Sequence, residues 1–325
     1  MADNERVATG GGTKRKVSMS AAAGQFSIPE RLRESVLGEQ GERGAEWLDQ
    51  LPARFAERLA HWELTLDRIG EPGGRLGLIG YVRREDNSPA VLKAGLITPE
   101  TAQEHAALAH WAGRGAVLLL AAEPAEGFLL LERLHGDIPL RSLAEAKAML
   151  EATSLLRRLW TPPAEEHPFT SVAEHVGRLG AALTRRRPLA ERLDAQPLVD
   201  EALEAAAGLL ASGSERFLLH GDFHHGNVMA ADRAPWLAID PRPLVGERAY
   251  DLAWLAQDRK ETLAGSPGPR GAARRRLHQL ADAVETDHDR LRDWTLFRTV
   301  EAGMRSLEAG DTENAELYLE FAGWL

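Results

Sequence analysis

The hydrophobic periodicity changes once along the chain, near Leu134, and that change limits the possible folds more than any other feature. Before it, short apolar runs bounded by glycine, proline or charge read as strands: "WELTLDRI", "LGLIGYVR", "PAVLKAGL", "GAVLLLAAE" and "GFLLLERL". Between the third and fourth runs, Pro99 opens a helix through Trp111. Ahead of them, Pro29 opens another, and "GERGAEWLDQLPARFAERLAHW" continues it with an interruption at Pro52. After Leu134, helical spacing covers 142–160, 169–186, 198–211 and almost everything from Gly246 onward, broken by "AGSPGPRG" at 264–271. A sheet-rich part followed by a helix-rich part predicts an α+β fold of two lobes with a cleft between them. The expected divisions are a disordered leader at 1–25, an N-lobe at 26–134 and a helical C-lobe at 135–325. The leader carries Gly10-Gly11-Gly12 and the basic run Lys14-Arg15-Lys16, a composition that cannot bury a core.

A chain of 325 residues, 44% of them hydrophobic, can fill two lobes. It has no cysteine. Disulfides, thiolate nucleophiles and zinc–thiolate sites are therefore excluded, and a reducing cytoplasm suits it. The net charge of −10 disfavours nucleic acid and favours a small, cationic partner. The longest apolar run, Ala116–Ala122, is too short to span a bilayer, so no membrane partner is expected. The oligomeric state is not legible in the sequence.

The segment "FLLHGDFHHGNVMAADRAPWLAIDP" (217–241) concentrates three histidines, three aspartates and an asparagine between apolar runs. His220, His224 and His225 could bind zinc, and "GDFHHG" also suits a metallophosphoesterase. Both chemistries need further ligands, yet there is no H-E-x-x-H and no cysteine. His220, Asp222 and Asn227 instead give H-x-D-x-x-x-x-N, the spacing of a kinase catalytic loop. There an aspartate accepts the proton of the attacking hydroxyl, and an asparagine five residues on ligates Mg²⁺. Asp240 follows thirteen residues later, at the end of "PWLAID", where a second carboxylate would join the metal.

Upstream, arginine is the default cation: 34 arginines stand against five lysines. Lys93, closing "AVLK", is therefore conspicuous as a phosphate clamp, although an edge-strand lysine facing water would look the same. Glu104 on the next helix could hold its ammonium, and Glu100 is the alternative at the helix start. A glycine-rich turn, "GEPGGRLGLIG" (70–80), lies between the first two strands. It can bring backbone N–H groups onto phosphates, though a hairpin also wants glycine.

Together "LLHGDFHHGNVM", "WLAIDPRPLVGERAYDLAWL", "GAEWLDQLPARFAERLAHWEL", the lysine strand and "LLLERL" resemble the aminoglycoside phosphotransferase superfamily, in its streptomycin 6-kinase and hydroxyurea phosphotransferase branch. The likeness runs from about Phe26 to near the C-terminus. It implies a protein-kinase-like bilobal fold and ATP-dependent phosphorylation of a small-molecule hydroxyl. It further implies Asp222 as catalytic base, Asn227 and Asp240 as Mg²⁺ ligands, and Lys93 with Glu104 as the phosphate clamp. Glu132–Leu134 becomes the hinge whose backbone meets adenine. His220 and Asp251 are expected to brace the loop. Related streptomycin kinases tend to carry "HWDLHYEN" where this chain has "HGDFHHGN", so Gly221 and Gly226 replace bulkier residues. For the acceptor, His224, His225, Glu301 and Glu308 are the candidates, the last two from the acidic stretch 299–325. An antibiotic acceptor and an endogenous sugar or amino alcohol share this chemistry. A non-catalytic binding module is disfavoured, because every ATP-handling residue is present.

Overall fold

The computed structural model describes residues 26–71, 74–213 and 215–325. The expected leader at 1–25, and Gly73 of the glycine-rich turn, lie outside the described residues. The chain divides into two compact units, one ending at Leu96 and the other spanning Ile97–Leu325.

The first unit opens with helix α1 (Glu30–His61), followed by the strands β1 (Thr65–Ile69), β2 (Gly77–Arg83) and β3 (Pro89–Gly95). The strands form an antiparallel meander. Leu78, Gly80 and Val82 of β2, and Ala90, Leu92 and Ala94 of β3, are buried at every second position. This period of two is what puts one face of a sheet against a core. Phe55 of α1 covers that face: a β-carbon on Gly80 would lie 2.6 Å from the Phe55 ring. Only a residue without a side chain fits there. The expected break in α1 at Pro52 does not occur. The helix continues through Pro52, and the chain turns at Gly41, whose φ of 53° only glycine adopts freely. One proline removes one hydrogen bond from a long helix, whereas a left-handed residue redirects it.

The second unit holds α2 (Glu104–Trp111), the hairpin β4 (Leu119–Glu123) and β5 (Phe128–Glu132), β6 (His135–Pro139), α3 (Glu145–Leu159), β7 (Thr170–Ser171), α4 (Val172–Arg186) and α5 (Gln196–Ser212). The short strands β8 (Phe217–Leu219), β9 (Val228–Ala230), β10 (Trp236–Ala238) and β11 (Leu244–Gly246) follow. Five helices complete it: α6 (Arg248–Gln257), α7 (Lys260–Ala264), α8 (Pro269–Val284), α9 (His288–Glu308) and α10 (Thr312–Ala322). The helix expected from Pro99 begins only at Glu104. Thr98 and Thr101 exchange backbone and hydroxyl hydrogen bonds in a turn before it. Helix α9 is the centre of this unit, with thirteen of its 21 residues buried. A helix buried on most of its circumference must be packed on by others.

Two small sheets carry the loops that matter. β11 pairs antiparallel with β8 and parallel with β7, while β9 pairs antiparallel with β10 and β6. The loop from β8 to β9 contains Asp222 and Asn227, and the loop from β10 to β11 contains Asp240. Among the described residues, no helix is long and apolar enough to cross a membrane.

Candidate active site

Two loops are laced together by backbone groups. Ile239 N–H donates to the Asn227 carbonyl at 2.9 Å, and Arg242 N–H donates to the His220 carbonyl at 2.8 Å. Asp240, between them, takes the left-handed conformation with φ 56°, so the chain reverses at that carboxylate. Asp222, Asn227 and Asp240 are thus brought together on adjoining loops. The Asn227 side-chain amide donates to the Asp222 carbonyl at 3.0 Å. That bond uses the Nδ2 donor, and the Asn227 Oδ1 is a hard oxygen of the kind Mg²⁺ accepts.

His220 is fully buried. Its Nε2–H donates to the Ile239 carbonyl at 2.9 Å, and its Nδ1 accepts from Asp222 N–H at 3.3 Å. Only the neutral ring makes both bonds, and burial indeed lowers its pKa against the pull of Asp251 and Asp222. Asp251, also buried, accepts from His220 N–H at 2.8 Å, Gly221 N–H at 2.7 Å and Trp160 Nε1–H at 3.1 Å. Both residues are braces of the loop in this geometry.

Asp222 faces the Arg242 guanidinium, with Nε 3.3 Å from Oδ2. Burial pushes the Asp222 carboxyl up. Arg242 first, with His224 and Arg298, outweighs it and holds the group below the usual carboxylate range. Asp222 is therefore an anion at neutral pH, ready to accept a proton. Arg298 of α9 donates to the carbonyls of Gly221 at 2.9 Å and Tyr250 at 2.8 Å, lying over the Tyr250 and Trp254 rings. Sequence reasoning missed Arg242 and Arg298. The Pro-Arg-Pro after Asp240 could have pointed to Arg242, but nothing local marks Arg298.

Gly221 has φ 77°, and a β-carbon there would sit 1.9 Å from the Arg242 carbonyl oxygen. Its smallness thus serves the close approach of two backbones and does not widen a pocket. His224 Nδ1 accepts from Gly226 N–H at 3.1 Å. His225 was expected to share the acceptor role with His224, but it has no exposed surface. Its Nδ1 lies 2.5 Å from Asp258 Oδ2. Burial raises the Asp258 pKa, but the bonds from His225 dominate and hold it far below the ordinary value. That leaves His224 as the partly exposed histidine of the pair. Among the described residues, no three His, Cys, Asp or Glu side chains form a metal-holding group. The three histidines here are each engaged elsewhere, which removes the zinc reading.

The remaining candidates stand as follows. Lys93 lies on the face of β3 opposite to buried Leu92 and Ala94, with its Cε 3.7 Å from where a Gly77 β-carbon would be. It lies against Gly77, where the glycine-rich segment enters β2. Glu104 is buried at the start of α2, whereas Glu100 is exposed. Glu132 ends β5; its N–H donates to the Leu118 carbonyl, and its carboxylate takes Leu118 N–H and the Arg233 guanidinium. Leu134 accepts from Gly136 N–H at 3.1 Å. Glu301 is buried and shares Arg186 with Glu308, at 3.2 and 2.7 Å. Both acids are therefore already paired, with Arg186 of α4 and, for Glu301, also with Arg305 at 3.5 Å.

Residues 61–310 match the family described as aminoglycoside/hydroxyurea antibiotic resistance kinase. A streptomycin 6-kinase of Streptomyces glaucescens is 35% identical over 289 residues, covering 87% of this chain and 92% of its own. A hydroxyurea phosphotransferase of Kitasatospora aureofaciens is 36% identical over 299 residues, covering 87% and 81%. Among solved structures, a choline kinase from Streptococcus pneumoniae superposes with a TM-score of 0.58 at 12% identity, covering 84% and 99%. An aminoglycoside phosphotransferase from Streptomyces rimosus, solved with ADP and streptomycin, gives 0.51 at 18%, covering 77% and 97%. These structures share the protein-kinase-like α+β fold. With a family match across most of its length and relatives above 30% identity over nearly their whole chains, this protein belongs to the aminoglycoside/hydroxyurea antibiotic resistance kinases.

Proposed function

We propose that the protein transfers the γ-phosphoryl group of ATP to a hydroxyl of a small cationic molecule, an aminoglycoside of the streptomycin type, and so confers antibiotic resistance. The observation that carries this is Asp222: an ionised carboxylate on a loop braced by Asp251, with Asn227 and Asp240 alongside. Asp222 orients the acceptor hydroxyl and takes its proton as the new P–O bond forms. Asn227 and Asp240 hold Mg²⁺, which supplies neutralising charge on the ATP phosphates when bound. Lys93, steadied by Glu104, adds a cation to the phosphates. Backbone groups at Glu132–Leu134 meet adenine. His224 contacts the acceptor; Glu301 and Glu308, already paired with Arg186, contribute little charge to it. Positioning and electrostatics provide the rate enhancement, with no covalent enzyme intermediate.

The test is ADP release from ATP–Mg²⁺ with streptomycin, other aminoglycosides, amino sugars and hydroxyurea as acceptors. Asp222→Ala should lose at least about a hundredfold in turnover, the scale of general-base catalysis. Normal turnover by that variant would refute the base. Turnover with a sugar or amino alcohol but not with an antibiotic would move the protein to metabolite phosphorylation with the same residues.

A further inference from the structure

Helix α6 meets the catalytic loop twice. Asp251, in its first turn, takes the N–H groups of His220 and Gly221. Asp258, its C-cap, takes the His225 N–H at 2.8 Å and the His225 ring at 2.5 Å on one oxygen. Seven residues separate the two carboxylates, about two helical turns, so both leave the helix on the same side. One grips the loop just before Asp222 and the other two residues before Asn227. We propose that Asp258 is a positioning residue for phosphoryl transfer: with Asp251 it makes α6 a two-point clamp that fixes the span between base and metal ligand. This rests on the roles given above to Asp222 and Asn227.

Asp258 is itself held on several sides. Its other oxygen accepts Arg259 N–H at 2.9 Å, and its carbonyl accepts from Arg276 of α8 at 2.7 Å. Arg259, in the left-handed conformation with φ 57°, donates onward to the carbonyls of Leu143 and Arg141. The corner is therefore built to stay still. His225 transmits the hold: its ring is sealed from solvent, and among the described residues its Nε2 has no hydrogen-bond partner. A buried nitrogen left unpaired costs stability, so the contact with Asp258 is what retains the ring in place. From His225 the order passes to Asn227 through short links: Gly226 N–H to His224 Nδ1, Asn227 N–H to the His224 carbonyl, and the Asn227 amide to the Asp222 carbonyl.

The experiment compares the wild-type full chain with Asp258→Ala, Asp258→Asn and Asp251→Ala by amide hydrogen exchange and by kinetics. In Asp258→Ala, exchange across 224–228 should quicken while 217–222 stays protected, and Asp251→Ala should reverse that pattern. The Mg²⁺ concentration for half-maximal turnover should rise about tenfold in Asp258→Ala, the scale for losing a group that orients a ligand. The KM for the acceptor should stay unchanged, and Asp258→Asn should recover part of the loss. A general loss of stability would leave the Mg²⁺ dependence of the folded fraction where it was. Wild-type exchange across 224–228 in Asp258→Ala, or quickened exchange with wild-type Mg²⁺ dependence, would overturn the proposal. If Asp258→Ala does not fold, Asp258→Asn is read against the same two criteria. Should the wild-type protein turn over ATP with no acceptor, the functional reading fails, and the exchange pattern still decides the clamp.

Discussion

Gly221→Ala is the most demanding perturbation of this site, because it adds one methyl group next to Asp222, the proposed catalytic base. The β-carbon would lie 1.9 Å from the Arg242 carbonyl oxygen and 2.9 Å from its carbon. Since non-bonded heavy atoms settle at about 3.5 Å or beyond, the two strands of backbone must separate by more than about 1 Å. That separation breaks the 2.8 Å bond from Arg242 N–H to the His220 carbonyl, costing about 1 kcal/mol. Holding alanine at φ 77° adds about 1–2 kcal/mol. The total of about 2–3 kcal/mol should lower the unfolding midpoint by about 3–4 °C for a chain of this size. The larger effect is on catalysis. A displacement near 1 Å at Asp222 should cost about a hundredfold in kcat. Gly226→Ala is the control, since its β-carbon would meet only the His224 ring, at 2.9 and 3.0 Å. That ring can turn aside, so kcat should fall far less. Steady-state kinetics and calorimetry on both variants suffice. Gly221→Ala with wild-type stability and turnover, or two variants with equal losses, would refute the close approach on which the site depends.

Two pH-dependent effects follow from the charges around the loop. Arg242 holds the Asp222 carboxyl low, so Arg242→Leu should move the acid limb of kcat/KM to higher pH, while Arg242→Lys largely preserves it; an unmoved limb would separate Arg242 from the base. His175 of α4 is pushed down from 6.5 to about 4, first by burial and then by Arg298. Its folded pKa lies below the unfolded one, so the unfolded chain takes up the proton first. That share of stability is complete above pH 6.5 and is lost as pH falls to 4, by about 3 kcal/mol. Chemical denaturation at pH 7 and 4 should show wild type losing more stability than His175→Phe by about that amount; equal pH dependence would exclude it.

The parts of this protein that were legible in the sequence are those whose physics is local. The strands β2 and β3 alternate buried and half-buried residues, and the helices after Leu134 repeat at helical spacing, so periodicity alone located them. Strands β7 to β11 have two or three residues each, too few for any period, and their pairing depends on partners far away in sequence. The same distinction governs the site. Asp222, Asn227 and Asp240 share a spacing fixed by one loop and its return, so a motif could carry them. Arg298 and Asp258 act on the same loop across 77 and 33 residues, and neither has a sequence neighbour that reveals it. Gly221 falls between these cases. Its type was visible in "HGD", but the reason for it was not, because the atom excluding a side chain belongs to Arg242 on another loop. A bulkier residue at this position in a related kinase therefore requires a different path for the backbone after Asp240. The difference between "HGD" and "HWD" is then one of loop geometry, set by how closely the backbone after Asp240 approaches Gly221.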